Sequence, residues 1–283
     1  MVNNNGTLTE LPTDYNGFDN RGYKYGDALF ETLKVVNGKI FFWEDHYFRL
    51  MASTRIMRMD IPMHFTMEFL EEEILKTVDA NNLLTSTARV RCSVDRGYHG
   101  RYLPTQQSEV HYNIVAERYN QPFYTINETA NYTVDLYKDH YLAPGLLSGL
   151  KSNNKALNVL GSIYASENDL DNCLILNTNK SVVEALNGNL FLVKGEVVKT
   201  PPLEEGCLKG IMRKQVLSIL AEDVNLLPEE SSISPFELQK ADALFITNVI
   251  QGIVPIRQYR KKSYDTDFAS MLVRRLNTKL RLA

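Results

Sequence analysis

Apolar and polar positions recur along the 283 residues in runs that read as strands and helices. Leu29 to Val36 is mostly apolar and extended, Asn37-Gly38 is a two-residue hairpin signal, and Lys39 to Trp43 reads as the returning strand. A helix is predicted over Glu44 to Met59, because Glu44 and Asp45 put negative charge in its first turn and Pro62 follows its end. Leu70, Ile74 and Val78 recur at four-residue spacing and predict a second helix over Thr66 to Asn81. Val90, Cys92 and Val94 alternate with Arg89, Arg91 and Ser93, the pattern of a half-buried strand, and Val110 to Glu117 reads as another. Strands and helices in this mix predict a small α+β layer structure. The polar stretch Arg118 to Asn131 carries Pro122 and no period, so it reads as a linker. The resulting division is a first domain over 1–118, a linker over 119–131 and a second domain over 132–283.

The second half is richer in strands. Tyr132 to Tyr137, Cys173 to Asn177, Ser181 to Leu186, Leu190 to Val193 and Leu244 to Val249 all read as extended, with Lys194-Gly195 turning one hairpin. Helices are predicted over Lys155 to Asn168, Gly210 to Asp223 and Thr266 to Leu280.

Charge narrows the function classes. The 31 Lys and Arg against 34 Asp and Glu nearly cancel, so no global field favours nucleic acid or an anionic membrane. No apolar run approaches the roughly 20 residues that cross a bilayer. The opening Met-Val-Asn-Asn-Asn-Gly lacks the charged start and apolar core of a secretory leader, so a soluble, cytoplasmic α/β protein is expected. Cys92, Cys173 and Cys207 are odd in number and widely spaced, which argues against a disulfide framework and gives no metal signature. No dinucleotide fingerprint, phosphate-cradling lysine loop or serine elbow occurs.

Several side chains could carry chemistry, and each also has a plain structural reading. Lys151, in Leu150-Lys151-Ser152-Asn153-Asn154, stands between a glycine-bearing loop and a helix, where a partly desolvated amine could act as a nucleophile. Lys155 can be argued the same way, and either could be a solvated surface lysine. Strand alternation puts Glu184 on one face with Val182 and Leu186, where a carboxylate needs a cation or donor: a bound cationic ring nitrogen, or a structural ion pair. Arg49 could grip a phosphate with paired hydrogen bonds, or lie on a helix surface. Gly210-Ile211-Met212 opens a helix, whose first N–H groups can hold an anion. Arg96, His99 and Arg101 share a loop with two glycines that could receive a carboxylate, or be simply polar. His46, His64, His111 and His140 show no ligand spacing and are given no chemistry.

Arg21-Gly22-Tyr23-Lys24-Tyr25-Gly26-Asp27-Ala28-Leu29-Phe30-Glu31-Thr32 resembles the N-terminal signature of class IV aminotransferases, the fold-type IV pyridoxal-phosphate enzymes. The resemblance continues through Glu44 to Leu50, Leu150 to Asn154, Glu184 to Phe191, Thr200-Pro201-Pro202, Gly210 to Arg213 and Thr247-Asn248, in family order across nearly the whole chain. It implies an α/β (α+β) fold of two domains, a small N-terminal α/β sandwich and a larger C-terminal strand-rich pseudobarrel that carries the cofactor lysine. It implies pyridoxal 5'-phosphate as cofactor, a homodimer, and a small amino substrate. Lys151, rather than Lys155, aligns with the lysine that binds the cofactor as a Schiff base, and Glu184 with the carboxylate paired to the ring nitrogen. Arg49 aligns with the phosphate arginine, Ile211 and Met212 with the backbone phosphate donors. Asn248 and Val249 fall on a second loop facing the phosphate or the substrate carboxylate, while Phe30 and Arg101 align with substrate-side positions.

Local residues choose among the family's chemistries. Branched-chain aminotransferases usually have glycine where Thr32 stands and a tyrosine where Ala156 stands; D-amino-acid aminotransferases usually have a tyrosine at Phe30 and a histidine at Leu103. Arg96 to Tyr102, Gly210 to Arg213 and Thr247 to Pro255 look more like 4-amino-4-deoxychorismate lyase. The resemblance therefore implies that lyase, which makes 4-aminobenzoate and pyruvate. A branched-chain or D-amino-acid transaminase is the alternative, and a non-catalytic cofactor-binding protein the third reading. Ala185 in place of a glycine, Val249 in place of a hydroxyl residue and Gly188 in place of a small polar residue depart from the family pattern.

Overall fold

The computed structural model describes residues 1–10, 19–105 and 109–282. The chain divides into two units, Met1–Pro122 with Lys151–Asn154, and Phe123–Leu150 with Lys155–Ala283. Lys151–Asn154 thus groups with the first unit, whereas the sequence reading assigned all of 132–283 to the second domain.

In the first unit, β1 (Val2–Asn4), β2 (Thr7–Thr9), α1 (Arg21–Tyr25), β3 (Ala28–Val36), β4 (Lys39–Ile40), α2 (Trp43–Ile56), α3 (Met67–Ala80), β5 (Thr87–Asp95) and β6 (His111–Arg118) follow in order. The strands form one antiparallel sheet in the order β2-β1-β6-β5-β3-β4. Asn37 and Gly38 both have positive φ, the conformation of a tight hairpin turn, and pair Val36 with Lys39. The returning strand is shorter than expected. Phe42 is left-handed and turns the chain into α2 at Trp43, whose indole N–H donates to the Met67 carbonyl. Helix α2 also stops three residues before the expected Met59. Arg96, from the loop after β5, donates to the carbonyls of Met57 and Arg58, and Arg58 is left-handed. Helix α3 begins where its sequence says, with the Thr66 hydroxyl accepting from Phe69 N–H. The β1–β2 hairpin was not anticipated. Its Asn5-Gly6 turn carries the same signal as Asn37-Gly38, but strands of three mostly polar residues show no alternation.

In the second unit, β7 (Thr133–Leu142) is joined through α4 (Ala156–Glu167) to a parallel neighbour, β8 (Asn172–Asn177). Next come β9 (Val182–Ala185), β10 (Gly188–Lys194), β11 (Val197–Thr200), α5 (Ile211–Ala221), β12 (Leu227–Glu230) and α6 (Pro235–Lys240). The unit ends with β13 (Ala243–Asn248), β14 (Gly252–Ile256), β15 (Gln258–Tyr259), β16 (Lys262–Ser263) and α7 (Asp267–Leu282). These strands make one mixed ten-stranded sheet, in which β10 pairs with β9, β11 and β13. The β10–β11 turn is Gly195-Glu196, one residue beyond the expected pair, because Lys194 itself pairs with Val197. Helix α7 buries Ala269, Leu272, Val273 and Leu276, one stripe at helical spacing. Helix α6 was missed, although Pro235 follows Ser234 and the Glu237 carboxylate accepts from Ser234 N–H at 2.9 Å. Among the described residues no helix is long and apolar enough to cross a membrane.

The first unit buries charge in its core. Glu31, on β3, is paired across the ladder with Cys92 and points to the face that α2 covers. Its carboxylate takes two hydrogen bonds from Arg49, at 2.8 and 2.5 Å, and one at 2.7 Å from His46 Nδ1–H. Burial alone would raise the Glu31 carboxyl. The Arg49 guanidinium and the His46 contact overcome that penalty and hold it at about 2, from an ordinary 4.5. Burial lowers His46, so the imidazole is neutral, and its Nε2 is buried with no hydrogen-bond partner. A carboxyl lowered on folding stabilises the fold fully above its unfolded value, and that stability is lost as pH falls from about 4.5 toward 2. Glu31→Gln is expected to cost about 3 kcal/mol at neutral pH, by removing the carboxylate charge that Arg49 and His46 enclose, and to flatten this acid limb. Urea unfolding followed across pH checks both, and an acid limb unchanged in the variant would contradict the assignment.

Candidate functional site

The candidate side chains of the first unit gather around β3. Ser152 bridges to Leu29, Phe30 N–H donates to the Lys151 carbonyl at 2.9 Å, and Asn153 N–H donates to the Ala28 carbonyl at 3.0 Å. The segment 151–153 therefore extends the sheet along the β3 edge. Antiparallel register sets Lys151 beside Phe30 and Asn153 beside Ala28, on the face opposite the buried Ser152. Lys151 Nζ stands 4.5 Å from the centre of the Phe30 ring. The Gly26 position in the signature has a steric reason. Gly26 is left-handed, and a Cβ there would meet Asn154 Oδ1 at 2.3 Å. Lys155 lies outside this pairing, at the start of α4 in the second unit.

Arg49 sits in the same unit, with two of its three guanidinium nitrogens on Glu31. Sequence reasoning named Arg49 and left Glu31 and His46 without chemistry. The signal was the i, i+3 spacing of His46 and Arg49, which places both over one strand position. In the loop after β5, Arg96 is taken up by Asp27 and the end of α2, so it is a structural cation and not an anion receptor. Buried Arg21 ties this loop down, donating to the carbonyls of His99, Arg101 and Tyr102 while paired with Asp27. The Arg101 side chain is exposed, as is Leu103.

In the second unit, three strands present one row. Glu184 on β9 pairs with Asn189 on β10, which pairs with Thr247 on β13, so all three side chains share a face. The expectation that Glu184 shares a face with Val182 is wrong. The β8–β9 register shifts so that Ile175 pairs with Glu184 but Leu176 with Val182, a bulge at Val183 that turns Glu184 away from Val182. Val182 packs in one core cluster, and Ile175, Val183 and Cys207 in another. Glu184 accepts from Leu208 N–H at 2.9 Å, and Asn189 donates to the Leu208 carbonyl at 2.7 Å. Burial, and then the Glu184 charge, push the Cys207 thiol up to about 12, so it stays protonated. Burial and Glu31 do the same to Cys92 in the first unit.

The start of α5 lies over this row. A Cβ on Gly210 would fall 1.9 Å from Asn189 Oδ1, so only glycine allows the approach. No side chain caps the helix, which leaves the N–H groups of Ile211 and Met212 at its positive end. Thr247 Oγ1, on the shared face, is buried with no hydrogen-bond partner. An orphaned hydroxyl, an uncapped helix start and a carboxylate fit a ligand with an anionic group and a cationic ring. The Asn248 side chain is spent on its own turn, accepting from Ile250 and Gln251 N–H and donating to Gln251. Val249 is buried, and its carbonyl accepts from the Tyr124 hydroxyl at 2.6 Å.

These local arrangements can be set against known proteins. The family model for amino-transferase class IV matches residues 28–259. A protein of Methanocaldococcus jannaschii, named by inference a branched-chain-amino-acid aminotransferase, is 31% identical over 236 residues, 83% of this chain and 79% of that one. A D-alanine aminotransferase of Staphylococcus aureus is 26% identical over 243 residues, 84% and 82%. The crystal structure of 4-amino-4-deoxychorismate lyase from Pseudomonas aeruginosa superposes with a TM-score of 0.80 at 26% identity, covering 99% of this chain and 98% of that one. The chain belongs to the class IV aminotransferase family, a family of pyridoxal-phosphate-dependent enzymes with the mixed α/β, strand-rich fold described above.

Proposed function

We propose that this chain binds pyridoxal 5'-phosphate and acts as a 4-amino-4-deoxychorismate lyase, releasing 4-aminobenzoate and pyruvate. The observation that supports the choice within the family is the end-to-end sequence likeness to the aminodeoxychorismate lyase of Vibrio harveyi, 24% identical over 271 residues with 97% of it covered, against 79% and 82% of the two transaminase relatives. In this reading Ile211 and Met212 N–H groups, with Arg49 and the loop at Asn248 and Val249, hold the phosphate. Glu184 would pair with the cofactor's ring nitrogen, and Lys151 would be the amine that holds it. The bound cofactor supplies an electron sink for the pair left when a proton leaves the substrate carbon. Lys151 Nζ takes that proton from the carbon bearing the amine and returns one to the departing enolpyruvate. Phe30 walls the substrate, and Arg101, exposed on its anchored loop, orients a carboxylate. By the same reading the enzyme is a cytoplasmic homodimer.

The 31% identity of the Methanocaldococcus relative favours a second reading, transamination on the same residues. A transaminase needs a keto-acid acceptor, and a lyase does not. Aminodeoxychorismate supplied alone is expected to give 4-aminobenzoate and pyruvate; absence of both without a keto acid, with amino transfer once one is added, would replace the lyase by the transaminase. Borohydride is expected to fix the cofactor covalently onto Lys151, as read by peptide mass. Lys151→Ala should abolish the label and Lys155→Ala should keep it, and the reverse would move the reactive amine to position 155.

A further inference from the structure

One side chain holds the loop that follows β5. Arg21, on α1, is 3% exposed, and four of its five guanidinium N–H groups are engaged. Nε–H donates to Asp27 at 2.9 Å. The other nitrogens donate to three loop carbonyls, those of His99 and Tyr102, both at 3.1 Å, and that of Arg101. The Arg21 backbone N–H takes the start of the loop as well, donating to the Gly97 carbonyl at 2.8 Å. The carbonyls converge because the loop is coiled: Gly97, His99 and Gly100 are all left-handed, with φ of 62°, 75° and 78°. A Cβ on Gly100 would meet the Leu103 carbonyl oxygen at 2.4 Å. The Tyr25 ring closes the cluster, with the guanidinium 5.2 Å and the Tyr102 ring 5.4 Å from its centre. Asp27 balances the buried charge and also receives Arg96.

What this clamp holds is backbone. The side chains it leaves outside are Arg101, Tyr102 and Leu103, all exposed. An exposed cation on a fixed backbone searches from one anchored Cα, so the clamp limits where its charge can stand. We propose that Arg21 is a positioning residue for substrate, acting through the carbonyls of residues 99, 101 and 102 to set the place of the Arg101 guanidinium. Buried as it is, it works through the loop and not by contact. A lysine in its place keeps a charge beside Asp27 but loses the planar fork that spans three carbonyls. The inference rests on the reading of Arg101 as a substrate contact and holds for lyase and transaminase alike. An Arg21 that served only the stability of its unit would make a different forecast: a lower melting temperature, with substrate affinity intact in the folded protein.

The test uses the holoenzyme and two readouts. One is hydrogen exchange of the loop amides; the other is KM and kcat for the reaction that the wild type performs, release of 4-aminobenzoate or amino transfer to a keto acid. Arg21→Lys should speed exchange at amides 98–103 at least tenfold and leave β5 and β6 within twofold. It should raise KM at least tenfold with kcat within threefold, the mark of binding lost equally from ground and transition state. In an Arg101→Gln background the same substitution should change KM less than twofold, because the cation it positions is gone. Gly100→Ala leaves Arg21 in place, drives a Cβ against the Leu103 carbonyl and should reproduce both effects. Lys24→Ala, on the exposed side of α1, should alter neither. Unchanged loop exchange in Arg21→Lys, a KM loss that persists undiminished without Arg101, or a Gly100→Ala variant with wild-type exchange and KM overturns the proposal. Arg101→Gln with the wild-type KM overturns it too, and removes the Arg101 assignment with it. Amino transfer without 4-aminobenzoate removes the lyase reading alone and leaves this one standing.

Discussion

Two backbone hydrogen bonds fix where Lys151 stands: Phe30 N–H to the Lys151 carbonyl and Asn153 N–H to the Ala28 carbonyl. They make a short segment, more than a hundred residues from β3 in the chain, its neighbour in the sheet. Alternation then does the rest, because a strand residue can point only to one face or the other. Lys151 and Asn153 face the Phe30 side, and Ser152 is buried on the other. Register slipped by one residue would bury the amine and expose the serine. The position of Asn154 against left-handed Gly26 closes the same contact at its far end.

Strand β3 separates two kinds of charge. On its core face Glu31 is wholly enclosed and satisfied by Arg49 and His46, an arrangement that holds the guanidinium in one orientation. On its other face Arg91 is held by neutral groups and keeps its positive charge uncompensated by any described carboxylate. In the first arrangement the charges are paired; in the second the guanidinium rests on neutral acceptors and a ring. The first follows from residues three apart on α2, the second from residues two apart on paired strands, which a sheet sends to the same face.

The second unit builds its ligand features by a comparable device. The Glu184–Asn189–Thr247 row crosses three strands, and Leu208 bonds to the first two through its N–H and its carbonyl. That loop delivers the start of α5 onto the row, and Gly210 permits the close approach. A carboxylate, a buried hydroxyl and a helix N-terminus thereby meet on one face, although they lie over sixty residues apart in sequence.

Local signals in the chain determined most of the elements: the Asn37-Gly38 hairpin, the Thr66 cap of α3, and the spacing of Leu70, Ile74 and Val78 each act within a few residues. The motifs along the chain likewise determined the family and singled out Lys151, Glu184 and Arg49 as candidates. Tertiary structure decided the partners. No local period could show that Arg96 ends α2, that Val183 bulges and turns Glu184 to the Cys207 side, or that Arg49 and His46 enclose Glu31. Nor could it show that Arg91 rests on the Phe30 ring near Lys151. The reason is physical: helix and turn preferences come from contacts within one or two turns of chain. The environment of a charge comes from strands whose register is set by packing across the whole sheet.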